Sequence, residues 1–150
     1  MSPDKIFTFI ILILIAAAAV KDVKDRQIPD TINILIVIIG VIKIICLAEM
    51  RKTSVVGFIC ATILMSVCKL VMKDGLGAGD VKLISALGFF LGINRFIPFM
   101  VITSLVSASV AAVMVILKKM KKNDCLPFAP LVLVGYILNM IFLYFGGRII

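Results

Sequence analysis

The sequence predicts an all-α polytopic membrane protein, a bundle of about six transmembrane helices. Two observations carry this. First, 63% of the 150 residues are hydrophobic and the mean hydropathy is +1.23, whereas an ordinary globular domain is about 45–50% apolar. Second, the apolar residues lie in blocks separated by short charged clusters, the pattern of a chain that crosses a bilayer repeatedly. One compact membrane-embedded domain spanning residues 1–150 is expected.

The first block, 6–20, resembles a secretory signal. An Ala run at 16–19 mimics a cleavage site. The segment before it carries Asp4 beside Lys5, however, and Lys21-Asp22-Val23-Lys24-Asp25-Arg26 follows as a stop-transfer flank, so a retained span is expected. The further blocks are 32–47, 54–72, 81–91, 96–117 and 131–145. A membrane helix needs roughly 20 residues at about 1.5 Å each, so the shorter blocks must draw their polar flanks into the span. The fourth is the shortest. Directly before it stand Gly75, Gly77 and Gly79, then Asp80, which suggests a glycine stretch sunk below the membrane surface inside the bundle.

Basic residues set the orientation. The odd connections hold Lys21, Lys24 and Arg26, then Lys69, Lys73 and Lys82, then Lys118, Lys119, Lys121 and Lys122. The even connections and the ends hold fewer. By the positive-inside rule the odd connections face the cytoplasm and both termini face out, in a cytoplasmic membrane. Lys43, inside the second block, is expected to snorkel to the outer surface. The net charge of +8 is thereby accounted for without nucleic acid, for which no recognition motif is present.

The chain has no histidine, which excludes Ser-His and Cys-His catalysis. Cys46, Cys60, Cys68 and Cys125 form no C-x-x-C pair, which argues against a structural zinc site. The first three read as small core residues, while Cys125 borders a basic loop. No metal or cofactor is expected.

The chemistry must then come from carboxylates. Asp30 follows Pro29 and reads as a helix N-cap or a partner of the helix dipole. Asp25 reads as a solvated loop charge; Asp4, Glu49 and Asp124 read as surface charges, and Asp74 is ambiguous. Asp80 also fits an N-cap, but a cap does not require three preceding glycines. Glycine allows close approach of another backbone and unusual φ/ψ, which suits an extended substrate. An acid at membrane depth is a functional candidate in its own right. The predicted topology puts Asp22, near the end of the first helix, on the same side as Asp80, at the start of the fourth. Two close carboxylates cannot both ionise cheaply, so one holds a proton while the other activates water.

At these residues the chain resembles the prepilin peptidase (type IV leader peptidase) family of membrane aspartic proteases. Asp22 stands eight residues before Asp30 in a segment ending Ile28-Pro29-Asp30, similar to the family's first catalytic segment. Gly77-Ala78-Gly79-Asp80-Val81-Lys82-Leu83 resembles its G-x-G-D segment followed by x-K-L. Pro127-Phe128-Ala129-Pro130 matches a late Pro-Phe-x-Pro segment. The resemblance implies that Asp22 and Asp80 are catalytic. Gly75, Gly77, Gly79, Lys82, Pro29, Pro127 and Pro130 would support the motifs or the substrate, with the two late prolines forming a rigid non-helical lead into the last span. It further implies removal of a short basic leader from prepilin-like precursors (pilin, pseudopilin or flagellin-like) at the cytoplasmic face. Longer bacterial members carry an N-terminal extension with paired C-x-x-C motifs and methylate the new N-terminus. This sequence lacks that extension and resembles the short members, so methyltransferase activity is not expected.

Two rivals stand beside this reading. A presenilin or signal-peptide-peptidase type of G-x-G-D protease shares the chemistry but cuts within a membrane helix. A non-catalytic transport or secretion subunit would use its intramembrane acids as an ion pathway. The Ile28-Pro29-Asp30 ending and the x-K-L after Asp80 disfavour the first. The lack of an internal repeat disfavours the second.

Overall fold

The computed structural model describes residues 3–47, 51–72, 77–117 and 127–146, and these are helical almost throughout, with no strand among them. Five helices follow in order: α1 (Pro3–Asp25), α2 (Asp30–Cys46), α3 (Arg51–Met72), α4 (Ala78–Ile116) and α5 (Phe128–Gly146). Each begins two or three residues before the apolar block that predicts it, drawing in the polar flank at its start, as the length of a membrane span requires. Three of them, α1, α3 and α4, are long and apolar enough to cross a membrane. The α5 segment Phe128–Tyr144 is a shorter apolar helix.

The fourth and fifth blocks form one element. Their boundary is Gly92, where φ is 69° and ψ is 161° inside α4. That conformation is open to glycine and strained for other residues, so a single backbone break replaces the expected loop.

The first arm of α4 is the centre of the bundle. Residues 83–88 are all buried, so this stretch has no outward face, as expected of a helix enclosed by others. It packs against α2 and α3, and α4 as a whole also contacts α5; α1 packs against α2 and α5. The core includes Ile11, Ile15, Ile36, Met65, Leu87, Phe90, Phe99 and Tyr136. Around it, the outward-facing residues are also large and apolar, including Phe9, Ile13, Phe58, Ile63, Val101 and Leu105. In water such a surface would drive aggregation; in lipid it is the solvent-facing side.

The contact of α3 with α4 depends on glycine. A Cβ on Gly57 would run into the carbonyl oxygen of Gly88 and come within 2.9 Å of Gly92 backbone, and a Cβ on Gly88 would lie 2.5 Å from that of Ala61. Thr53 lies opposite Gly92. Numbers rising along α3 meet numbers falling along α4, so the two helices are antiparallel. Small residues let membrane helices approach closely, where packing replaces the absent hydrophobic drive.

Three side-chain expectations are corrected here. Lys43 does not snorkel: it is only 2% exposed, pairs with Asp4 at 3.1 Å and donates to the Phe90 carbonyl at 3.3 Å. A carboxylate within reach and the Phe90 ring 4.3 Å away make burial affordable to the ammonium. Asp4 is therefore not a bland surface charge; it also holds Arg95 at 2.6 Å. Cys46 and Cys60 are exposed and Cys68 is half-buried, so they do not fill the core. An apolar run tells core from lipid face poorly, because both are apolar. Cys125, Glu49, Asp74 and Asp124 lie outside the described residues.

Gly57→Ala should lower stability by about 1–3 kcal/mol or more, because the added methyl meets backbone that cannot move aside. Gly40→Ala should cost much less, since its Cβ would meet the ring of Phe89 at 2.8 Å, a side chain able to swing away. Thermal unfolding of the two purified variants checks the contrast.

Candidate active site

The last turn of α1, the loop into α2, and the start of α4 converge on one cavity of about 430 Å³. Asp22 and Asp80 both line it, with Pro29, Asp30, Gly77 and Gly79. Residues 58 apart in sequence thus share a site at one end of the bundle.

Asp22 is buried at 6% exposure. Its Oδ2 accepts the backbone N–H of Ala129 at 2.8 Å. Ala129 is in the first turn of α5, where N–H groups have no partner within the helix, and the helix dipole favours an anion. The structure thus gives the Pro127–Pro130 segment a definite contact with the site. Pro127 precedes the helix, while Pro130 is already inside its first turn. The expected rigid non-helical lead therefore ends at Pro127. Pro130 costs no hydrogen bond there, because first-turn N–H groups are orphaned anyway.

Asp80 is the third residue of α4, and its Oδ2 accepts the N–H of Gly77 at 3.1 Å. This is the carboxylate half of a capping box, so the N-cap is Gly77 and Asp80 closes the turn from inside. Gly77 has φ −67° and ψ 149°, extended backbone that any residue adopts, and Gly79 shows no positive φ. The glycines are therefore not needed for unusual φ/ψ. Space is the reason at both positions: a Cβ on Gly77 would sit 3.2 Å from Asp80 Oδ2, and one on Gly79 would sit 3.2 Å from the Ile28 Cβ. Gly77 is exposed and Gly79 half-buried, so the described part of the stretch rims the cavity rather than sinking into the core. Gly75 lies outside the described residues.

Asp30 is not an N-cap. Pro29 holds that position with no side-chain cap bond, and Asp30 opens α2 as its first-turn acid. Its two oxygens accept from Lys82 Nζ at 2.8 Å each. Lys82 and Asp30 are both exposed, at 54% and 61%, so the pair adds at most about 1 kcal/mol to stability. Its geometric effect is to tie the Asp22 segment to the Asp80 segment across the cavity rim. Among the described residues, no group of three or more His, Cys, Asp or Glu side chains is placed to hold a metal ion.

Residues 8–116 match the family model of the type IV leader peptidase family. The chain belongs to this family. It is 27% identical over 135 residues to a prepilin leader peptidase/N-methyltransferase of Bacillus subtilis (strain 168), covering 89% of this chain and 54% of that protein. A protein of the same name from Xanthomonas campestris pv. campestris is 26% identical over 123 residues, covering 77% of this chain and 43% of the relative. The chain thus spans about half the length of the curated relatives it matches. No solved structure matches it. Membership of the leader peptidase family, with the apolar helices, makes this a membrane protein.

Two features of this cavity escape the sequence. The donor to Asp22 is a backbone amide, which no residue type announces. Arg26, lining the cavity, has φ 51°, and its N–H bonds the Asp22 carbonyl at 2.9 Å, ending α1 in a left-handed turn that glycine usually occupies.

Arg26→Gly should raise stability by about 1 kcal/mol by relieving this left-handed strain. Lys82→Gln and Asp30→Asn should each change it by less than about 1 kcal/mol, and the double variant should lose no more than one single variant. Denaturation of these four variants and the unmodified chain in one detergent measures both, the Lys82 and Asp30 variants being closed as a double-mutant cycle.

Proposed function

We propose that the chain is a membrane aspartic endopeptidase that removes the short basic leader from prepilin-like precursors, with Asp22 and Asp80 as its catalytic pair. The supporting observation is the shared cavity: two carboxylates from separate motifs line it, each anchored by a backbone N–H at a helix start. Residues 1–150 act in this reading as one membrane-embedded peptidase domain.

One carboxylate of the pair is ionised and removes a proton from a water molecule. The other is protonated and donates a hydrogen bond to the scissile carbonyl. Water oxygen bonds to the carbonyl carbon, giving a tetrahedral intermediate. As the C–N bond breaks, the leaving amine takes a proton from the pair, and the dyad returns to one shared proton. The anchors on Asp22 and Asp80 fix the carboxylates before substrate arrives, the preorganisation that gives such a site its electrostatic advantage.

The substrate's hydrophobic helix stays in lipid beside the enzyme, and its extended junction reaches the cavity. The excess of lysine and arginine in the connections at this end supports a cytoplasmic active site with both termini outside. The apolar exterior supports direct contact with the bilayer and with a membrane-bound substrate.

Asp22→Asn and Asp80→Asn should each cut leader removal from a co-expressed prepilin by at least about a hundredfold, with the protein still inserted in the membrane. Asp25→Asn should process normally. Normal processing by either of the first two variants removes the dyad; an inactive Asp25→Asn moves the first carboxylate by three residues. Gly79→Val should impair processing too, by wedging the Ile28–Pro29 loop away from Asp80. The same gel assay reads this, with unchanged membrane insertion as the control.

A further inference from the structure

A second cavity, of about 690 Å³, lies at the far end of the bundle, lined from α1, α4 and α5. The opening of α1 borders it, whereas the carboxylate cavity borders that helix's close. Its volume is within the roughly 300–1,000 Å³ of ligand pockets. Phe9, Leu12, Ile137 and Met140 give it an apolar wall, and Lys5, Arg95 and Asn139 give it polar groups.

Among the described residues the charges here do not balance. The Asp4 carboxylate holds both Lys43, at 3.1 Å, and Arg95, at 2.6 Å. One negative charge serves two positive ones, and the exposed Lys5 next to Asp4 adds a third. Lys43 is buried, so water does little to offset its charge. A second, separate observation points to a ligand: Asn139 is 2% exposed, lines the cavity, and its Oδ1 has no hydrogen-bond partner among the described residues. A buried amide oxygen without a donor is costly.

We propose that this cavity is a binding site for one anionic glycerophospholipid. Its phosphate would answer the surplus positive charge at Arg95 and Lys5. One acyl chain would lie along Phe9, Leu12, Ile137 and Met140. A head-group hydroxyl would donate to Asn139 Oδ1. The anionic head satisfies the charge and the hydrocarbon tail satisfies the wall, a pairing that neither a free phosphate nor an uncharged lipid provides. The site is independent of the peptidase reading.

The full chain in mixed micelles is offered phosphatidylglycerol or phosphatidylcholine with identical acyl chains, and retained lipid is counted by native mass spectrometry. The expected result is one retained phosphatidylglycerol, preferred by about fivefold or more. Lys5→Gln leaves the Asp4–Lys43–Arg95 cluster intact and should lower that preference several-fold. Leu12→Trp fills the cavity and should abolish retention of both lipids. Unfolding midpoints in phosphatidylcholine alone, equal to that of the unmodified chain, establish that both variants are folded. Equal retention of the two lipids by the unmodified chain overturns the proposal, as does a preference that survives in both folded variants.

Discussion

The first arm of α4 is enclosed by its neighbours, and much of the architecture follows from that enclosure. A helix with residues 83–88 all buried needs neighbours that come close on several sides. Gly57 and Gly88 meet that need by removing side chains where α3 crosses. Being central, the arm has only its two ends free for polar groups. Asp80 stands at one end and the break at Gly92 at the other. The cavity between the carboxylates is thus a helix terminus opened to water at the edge of a dry core, the one kind of place in such a bundle where an acid is both tolerated and reachable.

The two ends of the bundle hold their charges differently. At the carboxylate end, Asp22 and Asp80 are gripped by backbone N–H groups and the ion pair of Asp30 with Lys82 stays on the rim. At the other end, Asp4 is gripped by side chains, Lys43 and Arg95, one of them fully enclosed. Backbone donors hold an oxygen without adding a mobile charge, which leaves the carboxylate's own charge available for chemistry. Side-chain cations neutralise it, which makes Asp4 a fastener rather than a reagent.

Much of the site was legible because its parts are local in sequence. The eight-residue step from Asp22 to Asp30 and the run Gly77–Lys82 each place several groups on one short stretch, and positive-inside counting put both stretches at one end. What was not legible depends on contacts between distant segments. Nothing in the run 32–47 says that Lys43 meets Asp4, nor does anything near Gly57 name Gly88 as its partner. The assignment of Cys46 and Cys60 to the core failed for a different reason: lipid accepts the same residues as the interior does. The break at Gly92 was hidden because one glycine with a positive φ does the work expected of a loop.

The hold on Asp22 has a consequence for how this protein answers to mutagenesis. The group that grips the carboxylate is the Ala129 amide, and every substitution except proline preserves an amide there. Ala129 is fully enclosed, so larger residues at this position would report crowding, and a scan that trims side chains would read it as silent. Genetic methods that vary side chains alone would rank this contact among the least informative in the chain. Backbone chemistry, an ester in place of one amide, is what brings it into view.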